Sequence, residues 1–179
     1  MNKAWVFGYG SIMWNPGFPY KTKKTCFITG WERRFWQASS DHRGTPSFPG
    51  RVATLIQKKY SRCWGVAYNI HQQDENETLQ SLDIREKNGY ERTAVIATSL
   101  LGSSFDCLTY IADPSNRYYL KGEPLTSIAR QIEIARGPSG TNAEYIILMV
   151  QKLRKLGVYD QHVEAIWKEL GGEGLGQNL

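Results

Sequence analysis

The chain has 179 residues, 41% of them hydrophobic and 22% charged, with a formal charge of +5. That composition excludes a disordered chain, which would lack the apolar surface to offset its ordering entropy. It also leaves no apolar run near the ~20 residues of a membrane span. The positive balance favours anionic partners without choosing between nucleic acid and a small anionic substrate.

The first two thirds read as short strands bounded by turn residues. They are Ala4–Gly8, Thr25–Gly30, Trp31–Gln37, Arg51–Gln57, Cys63–Ile70, Thr93–Thr98 and Asp106–Ala112. Alternation within Arg51–Gln57 sets Val52, Thr54 and Ile56 on one face and Ala53 and Leu55 on the other. A helix over Asp74–Asp83 interrupts the strands, with Asp74 as its cap and Glu77 as the third-residue partner. Helices follow. Pro124 opens one that carries Leu125, Ile128, Ala129 and Ile132 and stops at Gly137. Thr141 and Glu144 read as a capping box ahead of Tyr145, Leu148, Met149, Leu153 and Leu156. Asp160 caps a last helix with Val163, Ile166, Trp167 and Leu170, closed by Gly171; the Gly-rich tail beyond is expected to fray. Strands first and helices later is an α+β plan: a small curled sheet or barrel with helices packed on it. No repeat or linker divides the chain, so residues 1–179 are read as one domain.

Cys26, Cys63 and Cys107 are odd in number and far apart. They form neither a disulfide framework nor a CxxC pair, and read as core thiols of a reducing compartment, the cytosol. Met1 to Ser11 lacks the apolar stretch and cleavage site of a secretory signal.

Four stretches can carry chemistry. Phe7-Gly8-Tyr9-Gly10-Ser11-Ile12 follows a strand but fits no nucleotide or nucleophile-elbow motif, because Met13 stands where a glycine is needed. It is either a tight bend at a barrel corner or a turn whose amides face an anion. Asp41-His42-Arg43-Gly44 reads as a hydrogen-bonded loop; adjacent Asp and His cannot orient each other as a triad does. His71 and His162 lie in no ligand spacing, so no metal site is expected. Leu82-Asp83-Ile84-Arg85-Glu86-Lys87-Asn88-Gly89-Tyr90 is a solvated charge run, unless Glu86 turns inward, where it can act as general base and then general acid. Gly137-Pro138-Ser139-Gly140-Thr141-Asn142 is a loop with a helix cap, or a helix entrance where Asn142 or Tyr145 binds a ligand.

These stretches together resemble the ChaC family of γ-glutamylcyclotransferases, which act on glutathione. The resemblance is carried by Trp5–Ile12, Arg33-Arg34-Phe35-Trp36-Gln37, Ser40–Gly44, Pro49-Gly50-Arg51-Val52, Trp64–Tyr68, Leu82–Tyr90 and Gly137–Gly140 with Asn142, Glu144 and Tyr145. It implies a compact mixed β-barrel with flanking helices, and cleavage of glutathione to 5-oxoproline and cysteinylglycine with no cofactor and no metal. It implies that Val6, Phe7, Gly8, Tyr9, Gly10, Ser11 and Ile12 hold the γ-glutamyl moiety and that Glu86 is the acid–base. Ile12-Met13 replaces the more usual Leu-Ile, and Asn88 stands where Gly is common, with no chemical group lost. The segment Gln57–Arg62 reads as a short insertion in a rim loop.

In the implied reaction the substrate's α-amine attacks its own side-chain carbonyl. The enzyme needs no nucleophile, which suits a chain without a credible Ser or Cys site. Tyr145 is a candidate to bind the glutamyl part, and Arg34 or Arg43 to meet the glycine carboxylate; Glu77 is a weaker second carboxylate. Two rivals stand beside this reading. One is a cyclotransferase for other γ-glutamyl amino acids or amines. The other is a non-catalytic RNA-binding module, suggested by the positive charge and the 12% aromatic content. Against the second, Trp5, Trp36, Trp64 and Trp167 fall in strand or helix patterns and read as core, so neither nucleic acid nor membrane is an expected partner.

Overall fold

The computed structural model describes residues 4–172. The expected fraying beyond Gly171 therefore falls almost wholly outside the described residues. Five strands close a barrel in the order β1-β3-β2-β4-β5. They are β1 (Trp5–Gly8), β2 (Thr22–Ser39), β3 (Gly50–Asn69), β4 (Tyr90–Ser99) and β5 (Ser104–Ala112). β1 runs antiparallel to β3 and parallel to β5, which makes the barrel mixed. The other elements are α1 (Glu75–Arg85), α2 (Leu125–Ile134), the ribbon β6 (Arg136–Gly137) with β7 (Gly140–Thr141), α3 (Asn142–Lys155) and α4 (Gln161–Glu169).

Seven expected strands are thus five. The breaks placed after Gly30 and between Gln57 and Cys63 lie inside β2 and β3. Gly30 has φ +87° and Tyr60 φ +68°, so each marks a local irregularity that the strand absorbs without ending. Gln57–Arg62 is accordingly strand, not a rim loop.

The chain divides into two compact units. The first, residues 1–33 and 55–117, holds most of the barrel and α1. Its interior includes Val6, Phe7, Ile28, Leu55, Val66, Tyr68 and Ala97, all buried. Cys26, Cys63 and Cys107 are buried thiols of this interior and form no disulfide, as the sequence suggested. Burial pushes the Cys26 thiol up to about 12 and raises that of Cys107 further, so both stay protonated and unreactive near neutrality.

The second unit comprises residues 34–54 and 118–179. Ile128, Ala129 and Ile132 of α2, Val163, Ile166 and Trp167 of α4, and Tyr145, Ile146, Met149, Val150 and Leu153 of α3 form its core. The α3 face is shifted from the expected one: Leu148 and Leu156 are only half-buried, while Ile146 and Val150 are inside. Thr141 and Asp160 cap as expected, each side chain accepting from the amide three residues on. Asp74 makes no such bond. A 3-10 turn over Gln72–Asp74 puts it in a helical conformation, from which its carboxyl cannot bend back to the first turn. Pro124 is the residue before α2 and not its first member, and the helix ends at Ile134. Gly137 does not stop α2 but lets two segments approach closely, since a Cβ there would sit 2.3 Å from the His42 carbonyl oxygen. Of the four tryptophans read as core, only Trp167 is fully buried. Trp5, Trp36 and Trp64 are half-buried and pack tilted or edge-on against Phe105, Tyr119 and Phe27.

Candidate active site

β1 ends in a turn whose backbone is held from several sides. The Gly8 oxygen lies 2.3 Å from where a Cβ on Gly65 would be, so β1 and β3 meet where neither strand carries a side chain. Gly10 then leads into a single 3-10 turn, Ser11–Met13. Val6, Phe7, Tyr9, Ile12 and Met13 are buried, whereas Gly10 and Ser11 are half-exposed. Thr109 Oγ1 donates to the Phe7 carbonyl at 2.8 Å, and Arg33 Nε donates to the Tyr9 carbonyl at 2.9 Å. The Tyr9 hydroxyl donates to the Tyr110 carbonyl at 2.6 Å, and the Tyr68 hydroxyl to that of Met13 at 2.9 Å. The turn is therefore a rigid, pre-formed feature with its middle accessible.

Glu86 lies in the same unit, as the residue that ends α1. Its amide donates to the Leu82 carbonyl at 2.8 Å, closing the last helical turn. Beyond it Asn88 has φ +71° and Gly89 φ +93°, which reverse the chain into β4. Asn88 thus takes the left-handed conformation a glycine would occupy there, and Asn tolerates it better than most residues. The Glu86 side chain is 18% exposed. It is turned inward, against the solvated-run alternative, while Ile84 and Lys87 on either side are exposed.

One residue joins the turn to this carboxylate. Arg85 donates through Nη2 to Ser11 Oγ at 2.9 Å and through Nη1 to the Pro16 carbonyl at 2.6 Å, and its Nε lies 3.2 Å from Glu86 Oε1. A carboxylate at the carbonyl end of a helix is electrostatically unfavourable, and the adjacent cation offsets this. Sequence reasoning places Arg85 within a motif and gives it no role. The available signal is spacing: Leu79, Leu82 and Arg85 share the inner face of α1. Arg33 is missed likewise in favour of Arg34. Alternation places Arg33, Phe35 and Gln37 together on the buried face of β2.

α1 is clasped to the barrel by a second charged group. Tyr110 donates to Asp83 Oδ1 at 2.7 Å, and Arg92 pairs with the other Asp83 oxygen. The Tyr110 hydrogen bond, with help from Arg92, holds the Asp83 carboxyl below the ordinary carboxylate value.

The remaining candidates belong to the second unit. Tyr145 is buried in the first turns of α3, edge-on to Phe35 with the Arg43 guanidinium over its ring at 5.7 Å. Arg34 stacks on Trp36 at 5.8 Å. Arg43 pairs with Glu144 and donates to the Thr141 carbonyl at 3.0 Å, which places it in a structural ion pair. Asn142 is fully buried. Its amide donates to the Arg51 carbonyl at 2.7 Å and its oxygen accepts from the Arg51 amide, so both ends are used by the backbone and the ligand-binding alternative for Asn142 fails. Glu77 is exposed in the first turn of α1. Also in the second unit, a shallow depression is lined by Arg154, Gly157, Val158, Tyr159 and Glu164, none of them a candidate. Among the described residues no group of His, Cys, Asp and Glu is arranged to hold a metal ion. None of their helices is long and apolar enough to cross a membrane.

The family of ChaC-like proteins matches residues 4–172, and the chain belongs to it. It is 38% identical over 173 residues to glutathione-specific γ-glutamylcyclotransferase 1 of Mus musculus, covering 93% of this chain and 78% of the mouse protein. It is 42% identical over 168 residues to γ-glutamylcyclotransferase 2-3 of Arabidopsis thaliana, covering 89% and 84%. A crystal structure of a γ-glutamyl cyclotransferase specific to glutathione from yeast superposes with a TM-score of 0.90 at 27% identity, over 96% of this chain and 97% of that one. The expected small mixed barrel with flanking helices is the fold of both.

Proposed function

We propose that this chain is a glutathione-specific γ-glutamylcyclotransferase, acting as one domain over residues 1–179, with Glu86 as its acid–base. The observation that carries the proposal is the inward Glu86 carboxylate, joined through Arg85 to the turn that follows β1. The names of the relatives supply the substrate, and the family match runs through both units.

The chemistry follows from what the substrate already contains. Its α-amine, with a pKa of about 8, is mostly protonated at neutral pH and must lose a proton before it can attack. Glu86 accepts that proton. The free amine then adds to the γ-carbonyl carbon, a carbon–nitrogen bond forms within a five-membered ring, and charge builds on the carbonyl oxygen. The bond to the cysteinyl nitrogen breaks as Glu86 returns the proton to it, and the attacking nitrogen gives up a second proton by the same route, so the lactam keeps one hydrogen and the amine departs as an ammonium. One 5-oxoproline and one cysteinylglycine leave, with no water consumed. Backbone amides of Tyr9 to Ile12 and the Ser11 hydroxyl receive the α-carboxylate, while Val6, Phe7 and Gly8 shape the floor of the turn. Fixing the flexible γ-glutamyl chain with its amine over the carbonyl lowers the barrier by several kcal/mol. Tyr145 is assigned to the glutamyl part and Arg34 to the glycine carboxylate. No cofactor enters these steps, and the three reduced core thiols suit the cytosol.

The test is incubation of purified protein with glutathione and, separately, with a γ-glutamyl dipeptide lacking cysteinylglycine, reading 5-oxoproline from each. Release from glutathione at more than ten times the rate from the dipeptide is expected. Comparable rates would point to a general γ-glutamyl substrate, and no release from either would overturn the assignment.

A further inference from the structure

We propose that Arg85 is the positioning residue of this site: it forces the Ser11 hydroxyl to act as a donor toward the anionic end of the substrate while holding Glu86 in place. The proposal deepens the cyclotransferase reading and rests on it for the identity of that substrate.

Hydrogen-bond polarity decides how the serine is used. A guanidinium carries donors and no acceptor. Ser11 Oγ, 2.9 Å from Arg85 Nη2, must therefore accept that bond. A hydroxyl has one hydrogen, and with its oxygen engaged by a donor that hydrogen is directed to another partner. Ser11 is half-exposed on the turn, so the partner it selects is an acceptor arriving from outside, such as a carboxylate. Without Arg85 the same hydroxyl is free to rotate and present either polarity.

The geometry around the guanidinium points the same way. The guanidinium of Arg85 is fixed at three points: Ser11 Oγ and the Pro16 carbonyl at 2.6 Å, both on the stretch that follows β1, and Glu86 Oε1 at 3.2 Å beside it. The backbone closes around it. Gly17 has φ +74°, and a Cβ there would fall 2.9 Å from Arg85 Nη1. The Arg85 and Glu86 side chains are 25% and 18% exposed, shielded enough for charge-assisted bonds to hold their geometry and open enough to meet a ligand. A lysine could satisfy one of the three acceptors but not all, since an ammonium on a flexible stem has no planar fork.

The test combines kinetics with binding. Wild type, Ser11→Ala, Arg85→Lys, Arg85→Met and the double variant Ser11→Ala/Arg85→Met are compared for 5-oxoproline release from glutathione. Binding of 5-oxoproline to each is measured by calorimetry, and thermal melts identify any variant that does not fold. Ser11→Ala should raise KM about tenfold with kcat within about threefold. Arg85→Met should raise KM as much and also lower kcat at least about tenfold, because Glu86 loses its anchor. The double variant should add less than about twofold to the KM of Arg85→Met, since the hydroxyl is already unset. Arg85→Lys should recover little of either, and it serves as the probe if Arg85→Met does not fold. Unchanged KM and kcat in both Arg85 variants would overturn the proposal, as would KM effects of Ser11→Ala and Arg85→Met that multiply in the double variant. Should wild type release no 5-oxoproline, the activity assignment fails separately. Calorimetry then decides: binding lost alike in the Ser11 and Arg85 variants supports the role, and binding equal in all, or absent from wild type, overturns it.

Discussion

The two units each contain an arginine at the centre of a polar network, and the two arginines are used differently. Arg51 in the second unit is 1% exposed. It donates to Gln131 Oε1 at 2.6 Å and to the Phe35 carbonyl at 3.2 Å, and pairs with Glu123 at 2.7 Å. Its own backbone is bracketed by Asn142. Burial pulls the guanidinium below its ordinary value, and Glu123 opposes that shift without cancelling it. Arg85 in the first unit spends its donors on a serine hydroxyl, a turn carbonyl and the neighbouring carboxylate, with a quarter of its side chain still open. The first arrangement is closed and holds the start of β3 to β2, α2 and α3. The second holds an inward carboxylate and a half-exposed hydroxyl in a rigid frame, each still partly open, which is what a reacting site requires.

Breaking each network should therefore fail in a different measurement. Arg51→Met removes the buried member of an ion pair whose other member, Glu123, is 43% exposed, and strands the acceptors on Gln131 and Phe35. We expect a loss of about 2 kcal/mol in urea unfolding, with KM of the surviving folded enzyme unchanged. A loss under about 1 kcal/mol would show that the network contributes little. Tyr145→Phe keeps the ring against Phe35 and Arg43 and deletes only the hydroxyl. It should raise KM for glutathione about fivefold to tenfold, roughly 1 kcal/mol; an unchanged KM would remove Tyr145 from the substrate's surroundings.

The smallest expected effect is at Asp83. Its carboxyl is held below 3.8, chiefly by the Tyr110 hydroxyl. A depressed folded pKa contributes stability that is complete above the unfolded value and disappears as pH falls through the lowered one. Asp83→Asn should thus cost under about 1 kcal/mol at pH 6, because the group is half-exposed and screened. That difference from wild type should shrink as the pH is lowered below about 4. A difference that stays constant with pH would mean the clasp works through shape alone.

The same contrast governs what the sequence could reveal. The helical faces of α2 and α4 and the caps at Thr141 and Asp160 follow local periodicity and side-chain chemistry, and were legible. The continuity of β2 and β3 was not. Gly30 is an ordinary strand breaker by composition, and only pairing with neighbouring strands carries the chain through its φ of +87°. Glu86 was readable as a candidate, but its burial depends on α1 ending one residue before it and on Asn88 and Gly89 turning the chain away. Arg85 and Arg33 stayed hidden because their partners, Ser11 and the Tyr9 carbonyl, are remote in the chain. Asn142 stood in a motif for the opposite reason: its buried bonds to Arg51 are structural.

The most direct test of the central claim is 5-oxoproline release from glutathione by the Glu86→Gln and Glu86→Asp proteins beside wild type, each verified as folded by its melt. Gln cannot take a proton and Asp is one methylene short, so both should lose at least about a hundredfold in kcat/KM. Activity within tenfold of wild type in either variant would contradict the account.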